Sequence, residues 1–378
     1  MQIPTDYQTI IIDAGSGIIK GGFGGEDGPR SIFSSIVGTP KMPGLKVGME
    51  LQERFCGDEA IKNFEIMNFI QPVEKGEVYN WEKFETLMQY LLYDQMKVVP
   101  EEISILMVEA PLPNKLKRAK LAEILFETFN VKRLHLANSS MLGLFSYGKS
   151  SGLIIDSGFN VTSTVPIYEG FPLTHASVKI NYGGEDISKN LLDLIKENVD
   201  KSYKEIKGRI LADDIKEKLS YVSLNGDDNE DKSETTYELP DGKKVNLSSE
   251  LYKINEILFN PSEEEINEKN LKSLKNMVVE SMDKCESEIK DDIKENICLI
   301  GGTTLLKNFP EKLKNDISSP ELTQLSNFNM QTLPERQFAS WIGGSIMTSL
   351  DHFSYLWVTK KEYDENGEIL ISIDSKCF

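Results

Sequence analysis

The sequence predicts an α/β protein of two similar halves, and three observations carry that prediction. Thr9–Asp13 (TIIID) is a β-branched apolar run that stops in Asp-Ala-Gly-Ser-Gly, the pattern of a buried strand entering a tight turn. A second run after Gly152 (LIID) stops in Asp156-Ser157-Gly158-Phe159-Asn160 and returns from Val161 as VTSTVPIYEG. Asp13 and Asp156 are far more widely spaced than the period of a solenoid, so the repeat implies two halves rather than an array. Helical stripes follow each unit, and strands alternating with helices define the class. With 378 residues, 39% of them hydrophobic, the chain can fill two cores.

The first strand is expected to return as Ile18–Phe23. In Trp81–Met96 the apolar residues Trp81, Phe84, Leu87, Met88, Leu91 and Leu92 fall at i, i+3, i+4 spacing, which predicts a helix with one buried face. Lys115–Phe129 and Ile187–Ile195 carry similar stripes. Tyr237–Val245 (YELPDGKKV) reads as a hairpin turning on Pro-Asp-Gly. The last long helix is expected over Phe338–Leu350, where Gly343-Gly344 permits close packing. Asp227–Glu234 and Ser262–Lys275 are the most polar stretches and read as solvated loop or helix face.

Several function classes are excluded. No apolar run approaches the roughly 18 residues of a membrane span, and the first residues, MQIPTDYQTIIIDAG, lack the marks of a signal peptide, so an intracellular protein is expected. Cys56, Cys285, Cys298 and Cys377 show no CxxC pairing, which argues against thiolate metal sites and a disulfide framework. A net charge of −18 repels nucleic acid and anionic membrane along most of the surface.

The two turns suit a phosphate chain. Gly15 and Gly17 let the backbone turn sharply and present N–H groups to an anion at close range. Asp13 and Asp156 are expected to end their strands on opposite sides of one cleft, where two carboxylates can hold a hydrated Mg²⁺. Lys20, on the return strand, can set its ammonium against the same phosphates. A third glycine site, Gly301-Gly302-Thr303-Thr304 after Cys298-Leu299-Ile300, would admit a base or sugar ring; a fourth, Tyr182-Gly183-Gly184-Glu185-Asp186, precedes a helix. Each alone reads as well as a structural turn; the four in this order point to a nucleotide.

These segments resemble actin over nearly the whole chain. IIDAGSGIIKGGFGGEDGPR, FSSIVGTPK, NWEKFE, IIDSGFNVTSTVPIYEG, DIKEKLSYVSL, YELPDGK, GGTTL, PERQFASWIGGSIM and KKEYDE occur in actin's order. The resemblance implies an actin-like ATPase fold: two similar α/β halves with ribonuclease H-like cores around a nucleotide cleft, in four subdomains. It implies a first half of 1–146 plus 339–378 (outer subdomain about 34–71) and a second of 147–338 (outer subdomain about 184–262). Carried onto matching positions, it implies that Gly15, Ser16, Gly17, Ile18 and Lys20 line the phosphates on one side, with Gly158, Asn160 and Val161 on the other. Asp13 and Asp156 would reach Mg²⁺ (or Ca²⁺) through water. Gly184, Lys216 and Glu217 would contact sugar or base of ATP or ADP, and Gly302, Thr303, Leu305 and Gln337 would complete the wall.

The departures matter as much. Ser139 and Ser163 stand where actin orients the attacking water with a glutamine and a histidine, and Phe159 where an aspartate orders the metal's hydration shell. None keeps that chemistry, and phosphoryl transfer depends almost wholly on positioning and electrostatics, so nucleotide binding with weak ATPase activity is expected. Asn160 replaces the usual glycine and is expected to tolerate a left-handed backbone there. Gln337 and Phe338 replace a lysine and a tyrosine beside the adenine.

As to partners, Thr39–Glu53 keeps Met42, Leu45, Val47 and Met49 for a subunit contact, whereas the segment after Ser262 is too acidic for an apolar plug. Phe145, Phe171, Ile346, Met347 and Leu350 stay apolar where actin receives amphipathic partner helices. The reading is a structural subunit of a filament or larger multiprotein assembly with other actin-like subunits, in the cytoplasm and cytoskeleton, with cilium, axoneme or nucleus as further settings. A conventional polymerising actin with intact ATPase is the alternative. A sugar kinase or chaperone ATPase shares the paired Asp-Gly turns but has no reason to carry VPIYEG, YELPDG and WIGGSI.

Overall fold

A computed structural model describes residues 8–41, 55–63, 65–195, 206–224, 235–239, 242, 244–319, 322 and 325–366. The chain is a mixed α/β protein that divides into two compact units. One comprises Met1–Ser150, Glu169–Thr174 and Phe338–Phe378, the other Ser151–Tyr168 and His175–Gln337.

In the first unit one sheet runs in the order Ser31–Ser34, Ile18–Phe23, Gln8–Ala14, Ile103–Glu109, Arg133–Asn138, Val358–Thr359. The first three strands are antiparallel, and Ile103–Glu109 and Arg133–Asn138 lie parallel to Gln8–Ala14. Ile10, Ile11 and Ile12 are fully buried, which is why the central strand reads as a continuous apolar run rather than an alternating one. The expected helix at Trp81 is an α-helix over Trp81–Gln89, capped by the Asn80 side chain accepting from Lys83 N–H. It continues in wider i→i+5 turns over Tyr90–Gln95, and Lys115–Glu123 does the same over Ile124–Thr128.

The last long helix covers Ala339–Thr348 and crosses the helix Ser139–Ser146. A Cβ on Gly343 would lie 1.7 Å from the Leu142 carbonyl oxygen, so only glycine allows that crossing. Trp341, wholly buried, donates its indole N–H to Ile11 O at 3.0 Å and ties this helix to the central strand.

The second unit repeats the arrangement. Val178–Ile180, Thr162–Tyr168 and Gly152–Ser157 are antiparallel in that order, and Ile297–Ile300 and Met330–Thr332 continue the sheet in parallel. Tyr237 pairs with Val245 in the expected hairpin, and Gly242 in its turn is left-handed. The helix at Ile187 starts earlier, spanning Gly184–Ile195. After Ser262 the polar stretch forms a helix, Glu263–Lys269, closed by a capping box between Ser262 and Glu265 and with no buried side chain. Leu271 and Leu274, inside that polar stretch, are nonetheless buried, because they begin the packing of Leu274–Asp283. Asp227–Glu234 and the contact residues Met42, Leu45, Val47 and Met49 lie outside the described residues. Among the described residues no helix is long and apolar enough to cross a membrane.

Candidate functional site

The two glycine turns are built alike. In the first, Asp13 faces Lys20 and Ala14 faces Ile19, and Gly15 N–H donates to Ile18 O at 3.1 Å. In the second, Asp156 faces Ser163 and Ser157 faces Thr162, and Gly158 N–H donates to Val161 O at 2.9 Å. Gly15 therefore corresponds to Gly158, Ser16 to Phe159, Gly17 to Asn160, Ile18 to Val161 and Lys20 to Ser163. Among the described residues, the N–H groups of Ser16, Gly17, Phe159 and Val161 meet no acceptor. Each turn thus carries unsatisfied donors at a strand end, the condition for anion capture.

Clearance, not left-handed backbone, dictates glycine at Gly15. A Cβ on Gly15 would sit 2.9 Å from Ile18 O, while Gly15, Gly17, Gly158 and Asn160 all lie outside the left-handed region. The expectation that Asn160 suits the turn through left-handed tolerance is thereby corrected. Its role is polar: Nδ2 donates to Glu185 Oε2 at 2.6 Å.

Around the first turn, Lys20 Nζ lies 2.7 Å from Asp13 Oδ2. Ser16 is gripped twice, its carbonyl accepting from Gln71 Nε2 and its hydroxyl from Gly76 N–H at 3.2 Å. Gly76 is left-handed, in the turn between Val73–Glu74 and Glu77–Val78. Ser139 opens its helix, where Asn138 caps the N–H groups of Ser140 and Met141, and the Ser139 carbonyl accepts from Ser340 Oγ at 3.0 Å.

Around the second turn, Gly158 O accepts from Gly184 N–H at 3.0 Å and from Thr303 Oγ1 at 2.8 Å. A Cβ on Gly183 would come within 2.7 Å of Gly158 O, and one on Gly301, left-handed at φ +90°, within 2.6 Å of Asp156 Oδ1. Burial raises the pKa of Asp186, whose carboxylate accepts from Gly183 N–H at the start of the helix. Gly302 differs, since a Cβ there would meet nothing within 4 Å. Lys216 is buried with its ammonium on Gly184 O at 2.9 Å, Ser188 Oγ at 2.8 Å and Asp213 Oδ1 at 3.0 Å. All three donors are used, so Lys216 fixes Gly184 through protein contacts. Glu217 is exposed one residue on, Leu305 is partly exposed, Gln337 is half-buried and Ser163 is buried in its strand.

The sequence reading missed Gln71, Gly76, Ser188, Arg209, Asp213 and Arg336. Arg336 donates to Thr304 Oγ1, Thr304 O and Leu333 O and pins the Gly301–Thr304 turn. Only the arginine in PERQF hinted at it. Among the described residues no group of three or more His, Cys, Asp or Glu side chains is arranged to enclose a metal.

Of the expected partner-helix residues, Phe171, Ile346 and Leu350 are 57%, 44% and 57% exposed, and Phe145 is half-buried. Met347 differs from them: at 8% exposure it is buried.

A family model described as Actin matches residues 5–378. The chain is also similar to Actin-like protein 7A of Rattus norvegicus, 36% identical over 377 residues, covering 98% of this chain and 83% of that protein.

Proposed function

The chain belongs to the actin family, and from that premise we propose that it is an ATP- or ADP-binding structural subunit of a cytoskeletal filament or larger assembly, with slow or deficient hydrolysis. The observation that carries this reading is the pair of turns with matching closing hydrogen bonds and unsatisfied N–H donors at Ser16, Gly17, Phe159 and Val161. A phosphate chain supplies the acceptors they lack. Lys20 would add a cation on the phosphates. Asp13 and Asp156, single carboxylates at strand ends, would bind Mg²⁺ or Ca²⁺ through water, leaving the rest of the shell to water and phosphate oxygens.

Gly184, Lys216, Glu217, Gly302, Thr303, Leu305 and Gln337 would form the sugar and base wall, with the open side of Gly302 giving room for the ligand. The cation and nucleotide would supply charge neutralisation and the reacting phosphate. This chain's residues bind and orient them. Weak hydrolysis follows from Ser139, Ser163 and Phe159: short hydroxyls and a phenyl ring replace groups that position water and order the metal's shell. The protein would then use nucleotide chiefly as a stabilising ligand. Its proposed partners are other actin-like subunits in a cytoplasmic, cytoskeletal setting and an amphipathic helix on the patch of Phe145, Phe171, Ile346 and Leu350.

The test is to identify the nucleotide that copurifies, then follow phosphate release and sedimentation together over a concentration series with Mg-ATP. Retained nucleotide with little phosphate release supports the proposal. Pelleting above a critical concentration coupled to phosphate release favours the conventional polymerising alternative, and absence of any nucleotide binding overturns both.

A further inference from the structure

We infer that Arg209 and Glu185 are positioning residues for the second turn, holding Phe159 and Asn160 so that the turn's N–H groups keep the geometry an anion requires; this rests on the nucleotide-binding reading above. Two of the residues that distinguish this turn from the first, Phe159 for Ser16 and Asn160 for Gly17, are both engaged by the same ion pair. Arg209 Nη1 lies 3.0 Å from Glu185 Oε1. The guanidinium carbon of Arg209 sits 4.9 Å from the centre of the Phe159 ring, a cation–π distance. Glu185 Oε2 accepts from Asn160 Nδ2 at 2.6 Å and faces Lys189 Nζ at 3.2 Å. The Glu185 backbone N–H donates to Phe159 O at 2.8 Å. With its side chain only 14% exposed, this carboxylate is shielded enough for charge-assisted bonds to be strong.

The physical consequence is preorganisation. A four-residue turn with free donors loses conformational entropy when a ligand orders it, and a turn already ordered binds more tightly because that loss has been incurred on folding. The first turn solves the same problem with Gln71 and Gly76 on Ser16. The second, carrying a ring and an amide, is held by a cation on one and a carboxylate on the other. Phe159 therefore has a function of its own as the surface on which Arg209 rests.

The experiment uses the full chain with Mg²⁺ and etheno-ATP, whose fluorescence reports affinity and dissociation rate, together with hydrogen exchange at the Phe159–Val161 amides of nucleotide-free protein. Arg209→Ala should weaken binding about three- to tenfold, chiefly through faster dissociation, and raise exchange at those amides. Arg209→Lys, which keeps the ion pair without the flat stack, should recover part of the loss, and Glu185→Gln should fall between. Lys189→Ala, at a side chain 58% exposed, should bind like the unaltered protein. Arg209→Ala and Glu185→Gln binding normally, with only a lower melting temperature, would overturn the inference and leave a brace for the fold alone. If the unaltered protein itself fails to bind etheno-ATP, the nucleotide reading fails and the inference falls with it.

Discussion

Lys20 Nζ meets Asp13 Oδ2 at 2.7 Å, with side chains 12% and 16% exposed, whereas the same register in the second hairpin sets Ser163 opposite Asp156. The halves share a backbone plan, yet only the first turn has a lysine across from its aspartate. Lys20→Met removes the proposed phosphate partner and leaves a half-buried carboxylate without its cation. Nucleotide affinity should fall at least about tenfold and folding stability by about 1–3 kcal/mol. Ligand titration and urea unfolding of the same variant measure both; an unchanged affinity would show that Lys20 serves Asp13 alone.

Two glycines separate fold from ligand. Gly343→Ala would drive a Cβ to 1.7 Å from Leu142 O, against backbone that has no room to yield, so a loss of about 3 kcal/mol or more, or failure to fold, is expected. Gly302→Ala adds a Cβ that meets nothing within 4 Å and should leave the melting temperature of nucleotide-free protein nearly unchanged while weakening nucleotide binding. Equal melting losses in the two variants would contradict this division.

His135 sets an acid limit. It is buried, with Nδ1 3.2 Å from Leu356 O and its ring edge-on to Phe353 and Trp357. Burial lowers its pKa from 6.5 to about 4, with Arg118 adding to the effect and the Leu356 carbonyl opposing it. The unfolded chain therefore binds the proton more readily than the folded one. Stability from this group is fully present above about pH 6.5, declines as pH falls towards 4, and is flat below; the whole step is roughly 3 kcal/mol at most. Urea midpoints between pH 7.5 and 4.5 should drop more steeply for the natural protein than for His135→Gln. Parallel slopes would assign the acid sensitivity to other groups.

Hydrolysis should respond to the substituted positions. If Ser139 and Ser163 are why turnover is slow, Ser139→Gln with Ser163→His should raise single-turnover phosphate release by about ten- to a hundredfold without tightening nucleotide binding. Because Ser163 is buried, the melting temperature of the double variant must be followed alongside. A folded, nucleotide-bound double variant with an unchanged rate would place the defect elsewhere, Phe159 being next.

Much of this was legible locally. Thr9–Asp13 and the run after Gly152 announced buried strands by continuous β-branched residues, Trp81–Leu92 announced a helix by its stripe, and the Asp-x-Gly turns announced the repeat. Such signals live within a few neighbouring residues. The widening of the helix after Gln89 was not visible, because an i→i+5 turn leaves nearly the same stripe as an i→i+4 one. The burial of Met347 was not visible either, because an apolar residue on the last long helix suits either face until the crossing at Gly343 sets the rotation.

What the sequence by itself determined was the class, the duplicated turn and the identity of the residues at its tips, since propensity, periodicity and turn chemistry act over short range. Only the tertiary structure decided what holds those tips. Gln71 reaches Ser16 across 55 residues, Arg336 reaches Thr304 across 32 and Glu185 reaches Asn160 across 25. A side chain's hydrogen-bond partner depends on which backbones the folded sheet and helices bring within about 3 Å, and no local pattern encodes that distance.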